Sequence, residues 1–473
     1  MTNQPALTDE SRRRYLKAIG TAGLTAGLAG CSGGGGSEDE NNSGGGGGDD
    51  SSGGDTSGGD DSGEEYEAIG NFPPEGNSVS IGFNGPTSGA LGPDGQDQEK
   101  GFDLAVKHLN EGGGLVDYWD RLSGDGIMGY QVEPTKADTA GSADTAQDNI
   151  DRMIQRDNIQ FWTGGMSSTV TMAMQNVAQR ERVPFMGGNS TSAGISGENC
   201  SRYYFHPTFH AEIIGMAMGE AAPSALGEDR SLFHIYMDYS YGQSNRDAAR
   251  KYLTEQGPWE DAGGAAIAEG ETDHSSQIQA LEDSGADTLY FSSFGNFAAS
   301  GLAQLRDAGL TDDIEVIIPH VSAFTLDPLG GDAEDVLGME PWNPNADNEP
   351  SQVFVESYQE EYGETPNQSS LHTYESMMVY AAAVEDAGTF HPPTVVRTLE
   401  EFEWSLAWGD SAFRTCDHQV ERPWYMVQGV GDDRAEELGI RTEIVETTDP
   451  LVYECSEFPA SNCAMGDNEY GDE

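Results

Sequence analysis

The sequence has little positive charge. Its 473 residues include 23 lysines and arginines against 82 aspartates and glutamates, a formal net charge of −59 at pH 7. This balance excludes nucleic acid as a partner, because contact with phosphates needs a basic surface. The acidic residues run along the whole chain, and 36% of the residues are still apolar. Such a composition is typical of a folded protein from a salt-rich environment, where ionic strength screens the repulsion between surface carboxylates.

The chain also lacks the short motifs of common enzymes. It has no His-Glu-x-x-His zinc helix, no Gly-x-Ser-x-Gly turn and no Gly-x-x-x-x-Gly-Lys phosphate loop. Its cysteines show no Cys-x-x-Cys spacing for zinc. We therefore predict a protein that is not an enzyme and that has neither a cofactor nor a metal site.

No long apolar run is present near the start of the chain. The weakly apolar residues 18–30 are too few to span a bilayer. Arg12, Arg13 and Arg14 precede them, and Leu-Ala-Gly-Cys31 ends them. This order resembles a twin-arginine lipoprotein signal, with cleavage before Cys31 and a lipid on its sulfur. We expect export by the twin-arginine route and attachment to the outer face of the cytoplasmic membrane.

The next segment is predicted to be a flexible acidic tether over residues 32–76. Residues 32–65 are almost entirely Gly, Ser, Asp, Glu and Asn, without one basic residue. Such a composition cannot bury apolar area, and its like charges repel each other.

The rest of the chain is organised around Phe161 to Thr191. An apolar run ending at Trp162 is followed by Gly-Gly, a helical pattern, a second apolar run over 183–186, and a polar loop. Both loops are expected at the carboxyl ends of parallel strands, where open α/β proteins bind ligands. Their hydroxyls, glycines and helix N-terminus suit an anion or a polar head group. Capping by Ser167 or Ser168 and ordinary turns would explain each loop taken alone.

Similar units occur on either side of this stretch. Strand patterns at 79–83, 232–237, 288–291 and 314–318 are each followed by a loop. The pattern of strands and helices is interrupted at 203–207, where we expect a crossing between domains. Repeated strand–helix units indicate parallel sheets. We predict an α/β fold with two doubly wound parallel-sheet lobes.

The order of these motifs resembles the type I solute-binding proteins, the branched-chain amino acid and amide group that serves ABC transporters. The resemblance covers about 79–430, and it rests on IGFNGPTSGALGPDGQDQEKGFDLAV, FWTGGMSS, VPFMGGNST, HIYMDYSYGQS and RTCDHQ. It implies two lobes that are joined by a hinge of three crossings and close on a ligand between them.

The resemblance also implies a set of ligand-binding residues. Ser168, with Ser167 beside it, would hold the ligand's carboxylate. The second loop, Asn189, Ser190 and Thr191, would lend backbone groups and a hydroxyl. The side chains of Leu91, Tyr241 and Phe294 would cover the ligand. His320 stands where amino-acid binders place a carboxylate for the ammonium group, and an imidazole is a poor ammonium partner. Asp238 is another candidate carboxylate. The ligand is therefore left open among an amino acid, an amide or urea-like molecule and an organic acid.

The predicted organisation gives lobe 1 residues 77–207 and 342–424, lobe 2 residues 208–341 and 425–452, and a tail of 453–473. The expected partners are a small solute, the permease and ATPase subunits of a transporter, and the membrane through the lipid, with the chain a monomer. A surface sensor that passes ligand occupancy to a signalling receptor would have the same fold and site.

Four cysteines remain once Cys31 is set aside. Outside the cytoplasm four cysteines suggest two disulfides, and the sequence allows three pairings. We expect Cys455 to pair with Cys463, and Cys200 to pair with Cys416.

Overall fold

The computed structural model describes residues 66–268, 270–311, 313–451 and 453–472. Its first sheet is built from strands that are parallel at every pairing. Their order across the sheet is β2-β1-β3-β4-β5, with β1 Ser78–Gly85, β2 Gln131–Asp138, β3 Phe161–Gly164, β4 Phe185–Gly187 and β5 Tyr204–Phe205. The helices between them are α1 Gly92–Glu111, α2 Gly114–Tyr118, α3 Ala143–Asp157 and α4 Ser168–Glu181.

The second sheet has seven strands, in the order β15-β14-β10-β9-β8-β6-β7. The strands are β6 Ser231–Met237, β7 Glu260–Ile267, β8 Thr288–Ser292, β9 Glu315–Ile318, β10 Leu337–Glu340, β14 Tyr425–Gly429 and β15 Thr442–Thr447. The helices among them are α5 Ala211–Leu226, α6 Ser240–Ala249 with a π-helical extension Arg250–Glu255, α7 Ser275–Ser284, α8 Gly295–Asp307, α9 Ala323–Leu326 and α13 Asp432–Leu438. Strand β14 is antiparallel to both of its neighbours, β10 and β15, so this sheet is mixed and not purely parallel.

The remaining elements follow β10. They are α10 Glu349–Tyr362, α11 Gln368–Ala387 and α12 Pro392–Glu400, then a small antiparallel sheet of β11 Glu403–Leu406, β12 Gly409–Phe413 and β13 Val420–Glu421. Short 3-10 helices lie at Ala193–Ile195, Asp327–Ala333, Ala460–Asn462 and Asp467–Tyr470. Within the described residues, no helix is both long and apolar enough to cross a bilayer.

Helix α11 packs against α1 of the first sheet. It is buried on nearly every side, as its run of Met, Val, Tyr and Ala residues predicts. A Cβ at Gly101 would lie 1.9 Å from the carbonyl oxygen of Ser370, so only glycine allows this approach. On the same helix α1, Phe102, Val106 and Leu109 are buried as their spacing predicts.

The start of the body differs from the prediction. Residues 66–76 fall in the expected tether, but Tyr66 and Asn71 in this segment contact the folded body. Asn71 Nδ2 donates hydrogen bonds to the carbonyl oxygens of Ile154 (3.1 Å) and Ile159 (2.9 Å). The Tyr66 ring stacks on His391 with centroids 4.5 Å apart. The acidic composition ends at Glu65, and the aromatic residues beyond it have apolar area to bury. Residues 1–65, including the expected lipid-bearing Cys31, lie outside the described residues.

The predicted disulfide pairing was wrong. Cys200 is bonded to Cys463 and Cys416 to Cys455, with Cα–Cα distances of 5.5 and 6.1 Å. The C-terminal segment returns along the first sheet, and the 3-10 helix Ala460–Asn462 separates its two cysteines. Each of them therefore meets a different element. Nearness in sequence favours a Cys455–Cys463 bridge, but tertiary packing decides which sulfurs meet.

Candidate functional site

Two loops meet at the carboxyl end of the first sheet. They follow β3 and β4, and the amide of Gly188 donates a 2.9 Å hydrogen bond to the carbonyl oxygen of Gly164. A Cβ at Gly188 would lie 2.3 Å from the carbonyl oxygen of Gly165, so the loops need glycine to come this close. Gly164 and Gly165 both have positive φ, +115° and +86°. The pair of Gly-Gly turns therefore builds one continuous polar surface.

Serine hydroxyls hold these loops together. Ser190 Oγ lies 2.5 Å from Thr171 Oγ1 and donates to the carbonyl oxygen of Met166 at 3.1 Å. Ser168 Oγ accepts a 3.2 Å hydrogen bond from the amide of Ser192. Ser167 is the N-cap of α4, but its side chain makes no capping hydrogen bond. The predicted serines therefore lie together at one helix N-terminus, a position where anions are stabilised.

Loops of both sheets contribute an apolar cluster at the same place. Met166, Tyr241 and Phe294 are buried against one another, and Leu91 and Tyr239 pack on them. The Tyr241 hydroxyl donates to the carbonyl oxygen of Ser293 at 3.2 Å. Burial raises the pKa of Tyr241 well above its ordinary value, so the phenol stays neutral.

Direct contacts join the two sides. Asn245 Nδ2, on α6, donates to Thr191 Oγ1 at 3.3 Å, and the amide of Ala193 donates to Ser244 Oγ at 3.0 Å. A Cβ on Gly295 would lie 3.3 Å from the carbonyl oxygen of Ala90. The loops of the two sheets therefore touch, as in a closed cleft.

A cavity of about 220 Å³ lies beside the cluster. Its lining comes from loops of both sheets and includes Ser88, Leu91, Ser167, Tyr239 and Phe294. Leu91, Ser167 and Phe294 belong to the predicted ligand set and Tyr239 packs on it, and the walls mix hydroxyls with apolar side chains. This combination suits a small molecule with one polar and one apolar end.

His320 lies under the apolar cluster. It is 1% exposed, and its ring centroid is 4.7 Å from that of Phe294. Burial lowers the pKa of His320 to about 3, so the imidazole is neutral at physiological pH. Its Nε2 lies 3.2 Å from Nε2 of Gln368, an amide donor, so this ring nitrogen accepts. A neutral acceptor here neither repels nor neutralises a cationic ligand group.

Sequence reasoning missed several groups around the site. Met166 and Tyr239 complete the apolar cluster, and Asp94 and Ser369 lie behind Asn189. Asp94 sits in the first turn of α1, a position that predicts helix stabilisation and not a ligand contact. Asp238, the alternative carboxylate, is exposed and accepts a hydrogen bond from Gln243 at 2.9 Å. In the described part of the chain, no three His, Cys, Asp or Glu side chains are grouped to hold a metal ion.

Comparison with known proteins gives the class. Residues 78–435 match the model of a family described as periplasmic binding protein. Leu/Ile/Val-binding protein homolog 7 of Brucella abortus is 24% identical over 342 residues, covering 69% of this chain and 82% of that protein. An amino acid ABC transporter substrate-binding protein of Pseudomonas fluorescens superposes with a TM-score of 0.73 at 19% identity, covering 82% of this chain and 100% of the other. A solute-binding protein from R. palustris, solved with benzoate, gives 0.70 at 18% identity, with coverage of 82% and 100%.

The chain belongs to the periplasmic binding protein family. It is a solute-binding protein of an extracytoplasmic and non-catalytic family. The predicted fold class, two α/β lobes of type I, is confirmed.

Proposed function

We propose that this chain captures a small polar solute between its two lobes and delivers it to an ABC permease. The candidate solutes are an amino acid, an amide or urea-like molecule, and an organic acid. The observation that carries the proposal is the meeting of the hydroxyl-rich loops with the Tyr241–Phe294 cluster, in a chain that belongs to this family. The relatives named for leucine, isoleucine and valine, and the structure solved with benzoate, support solutes of this size.

In the proposed mechanism, the solute first binds the lobe that carries Ser168 and Thr191. The lobe that carries Tyr241 and Phe294 then closes over it, and the closed form docks on the permease. Closure is a hinge motion, and the ligand shifts its equilibrium by binding the closed state more tightly. We propose lobe boundaries at 207/208, 341/342 and 424/425, and their positions between β5 and α5, after β10 and before β14 support them.

The N-terminal segment supports a second part of the proposal. The chain is exported through the twin-arginine route and anchored by a lipid on Cys31, and its carboxylate-rich surface is adapted to high salt. In cells, the Cys31→Ser variant should move from the membrane fraction to the soluble fraction. Retention of this variant on the membrane would exclude the lipid anchor.

A thermal-shift screen in molar salt tests the binding function. The panel contains amino acids, amides, urea and small organic acids. A compound that binds only the folded chain raises its melting temperature by mass action. A hit should raise the melting temperature of the wild-type chain and leave that of the Thr191→Val variant nearly unchanged. A panel without any hit would contradict the proposal that these solutes are captured.

A further inference from the structure

Asp94 is a buried carboxylate that lies behind the second loop of the site. Its side chain lies in the first turn of α1, and the residue is 1% exposed. Its carboxylate accepts hydrogen bonds from the hydroxyls of Ser322, after β9, and of Ser369, on α11. Within the described residues, no lysine or arginine forms an ion pair with it. A buried carboxylate in such a position needs a positive group or a proton.

A second buried carboxyl group, Asp97, makes an unneutralised charge on Asp94 still less favourable. Asp97 lies one helical turn away and is also buried. It is satisfied by the Tyr358 hydroxyl at 2.9 Å and the Ser370 amide at 2.6 Å. Burial, together with the charge on Asp97, raises the pKa of Asp94 to about 7. The pair therefore carries a partial negative charge near neutral pH that the described part of the chain does not balance.

Two further acceptors in the same region lack donors. Asn189 Nδ2 donates to Ser369 Oγ at 2.7 Å, but its Oδ1 has no partner although the residue is 3% exposed. Gln368 Nε2 donates to the carbonyl oxygen of Val321 at 3.0 Å, and its Oε1 is likewise buried and unpaired. Native structures rarely leave buried acceptors unsatisfied, and the exceptions call for an explanation.

These acceptors are linked to the candidate solute site through neighbouring residues. Asn189 belongs to the second ligand loop, and Leu91, one helical turn before Asp94, packs on the Tyr241–Phe294 cluster. Ser322 and Gln368 bracket His320, whose ring lies against Phe294. Ser369 and Ser322 therefore link the Asp94 carboxylate to residues of the predicted site.

We infer that Asp94 is a specificity residue that receives a cationic, donor-rich nitrogen group of the solute, such as an ammonium or an amidinium. Asn189 Oδ1 and Gln368 Oε1 accept its remaining N–H groups. The serine loop at the N-terminus of α4 takes the carboxylate or other electron-rich group of the solute. This inference rests on the proposed solute-binding function, and it assigns the ammonium partner that His320 does not supply.

Matched solute pairs test this assignment on the full chain in molar salt. Each pair differs in the nitrogen cation: leucine and 4-methylpentanoate, phenylalanine and 3-phenylpropanoate, benzamidine and benzamide. Wild-type protein should bind the cationic member of at least one pair ten times more tightly than its partner. Asp94→Asn should reduce that preference at least tenfold. The matched control Asp238→Asn, an exposed carboxylate near the same cleft, should keep it.

Any other result of these binding measurements overturns the inference. Some of these results also contradict the proposed solute capture, and others leave it standing. Binding of both members of every pair with equal affinity removes the role of Asp94 and leaves solute capture standing. Absence of binding by every compound removes the proposed function and the inference together. A preference that survives in Asp94→Asn assigns the nitrogen group to another residue.

Two measurements without any organic solute complete the test. The melting temperature of ligand-free Asp94→Asn should equal or exceed that of the wild type, because the variant no longer buries an unpaired charge. A large decrease would show that Asp94 is a structural residue. Stabilisation of the wild type by Na⁺ or Ca²⁺, lost in Asp94→Asn, would assign the carboxylate to an inorganic cation and overturn the inference.

Discussion

The guanidinium of Arg422 donates a 2.7 Å hydrogen bond to the carbonyl oxygen of Pro341, and it also reaches that of Pro207 at 3.2 Å. Pro207 follows β5, Pro341 follows β10 and Arg422 precedes β14, so each lies where the chain enters or leaves the second sheet and its helices. Arg422 is buried between the rings of Trp408 and Trp424, with its guanidinium carbon 4.8 and 4.2 Å from the two ring centroids. The Arg422 side chain therefore links the three chain segments that contain Pro207, Pro341 and Arg422.

Loss of this cation should destabilise the whole body. Arg422→Ala removes the donors of two buried carbonyls and the positive charge that faces the buried Glu375. We expect the free energy of unfolding to fall by about 3–5 kcal/mol, as when one partner of a buried pair is removed. Chemical denaturation in molar salt measures this. Arg434→Ala, which breaks only exposed ion pairs with Glu437 and Glu443, should cost about 0–1 kcal/mol. Equal effects of the two variants would contradict the role of Arg422.

The hydroxyl of Ser168 should contribute directly to solute affinity. Ser168→Ala removes a buried donor at the N-terminus of α4, and an unpaired acceptor on the solute costs about 1–3 kcal/mol of binding free energy. Titration calorimetry with a solute found by the screen gives the difference. The chain should remain folded, because only the hydrogen bond from the Ser192 amide is lost. The control Ser224→Ala, an exposed serine on α5, should bind as the wild type does. Unchanged affinity in Ser168→Ala would exclude this serine from the site.

The closed cleft should depend on Phe294. Its ring is buried against Met166 and Tyr241, contributed by both sheets. Removing most of this apolar contact in Phe294→Ala costs the closed state about 2 kcal/mol, roughly a 30-fold shift towards the open state. Small-angle scattering of the ligand-free chain should then give a larger radius of gyration. Phe458→Ala, at an exposed phenylalanine, serves as the control. The same radius for both variants would show that the cluster does not hold the lobes together.

Peptide mapping without reduction should recover two linked pairs, Cys200 with Cys463 and Cys416 with Cys455. The first bridge closes a span of 263 residues, so its removal releases more chain entropy than loss of the second, which closes 39. The paired variant Cys200→Ser with Cys463→Ser should lose roughly 2–5 kcal/mol of stability. Recovery of a Cys455–Cys463 peptide would contradict the arrangement of the C-terminal segment.

Ionisation of the buried Glu340 should lower the stability of the folded chain as the pH rises from about 5 to 8. Glu340 is buried and accepts hydrogen bonds from Asn343 at 2.7 Å and Thr442 at 3.1 Å, and burial raises its pKa to about 8. The folded state therefore keeps a proton that the unfolded state releases above its ordinary pKa, so folding is favoured at low pH. The slope per such group is at most about 1.4 kcal/mol per pH unit.

Denaturation at several pH values checks this dependence in two variants. Glu340→Gln should reduce the pH dependence, because a neutral amide replaces the titrating group. Asp94 and Asp97, whose pKa values are also raised, act in the same direction, so some dependence remains. Glu437→Gln, at an exposed carboxylate, should leave the wild-type profile unchanged. A profile that is identical in Glu340→Gln and the wild type would show that Glu340 is ionised in the folded chain.

Local patterns identified most of the strands and helices around the site. The spacing of Phe102, Val106 and Leu109 gave helix α1 its buried face, and the two Gly-Gly turns marked the ends of β3 and β4. Strand β2, which is largely exposed along Gln131–Asp138, lacks an apolar pattern and was missed. The antiparallel strands β14 and β15 were missed because pairing direction depends on where the chain returns, and local periodicity carries no such information.

The sequence by itself determined the α/β class, the acidic surface and the two hydroxyl-rich loops, because periodicity and composition act over a few residues. Only the tertiary structure decided which distant groups meet. It paired Cys200 with Cys463, placed Arg422 against Pro207 and Pro341, and brought Asp94 behind Asn189. Each of these contacts joins residues far apart in sequence, and the packing of the two sheets and their helices sets the distance between them.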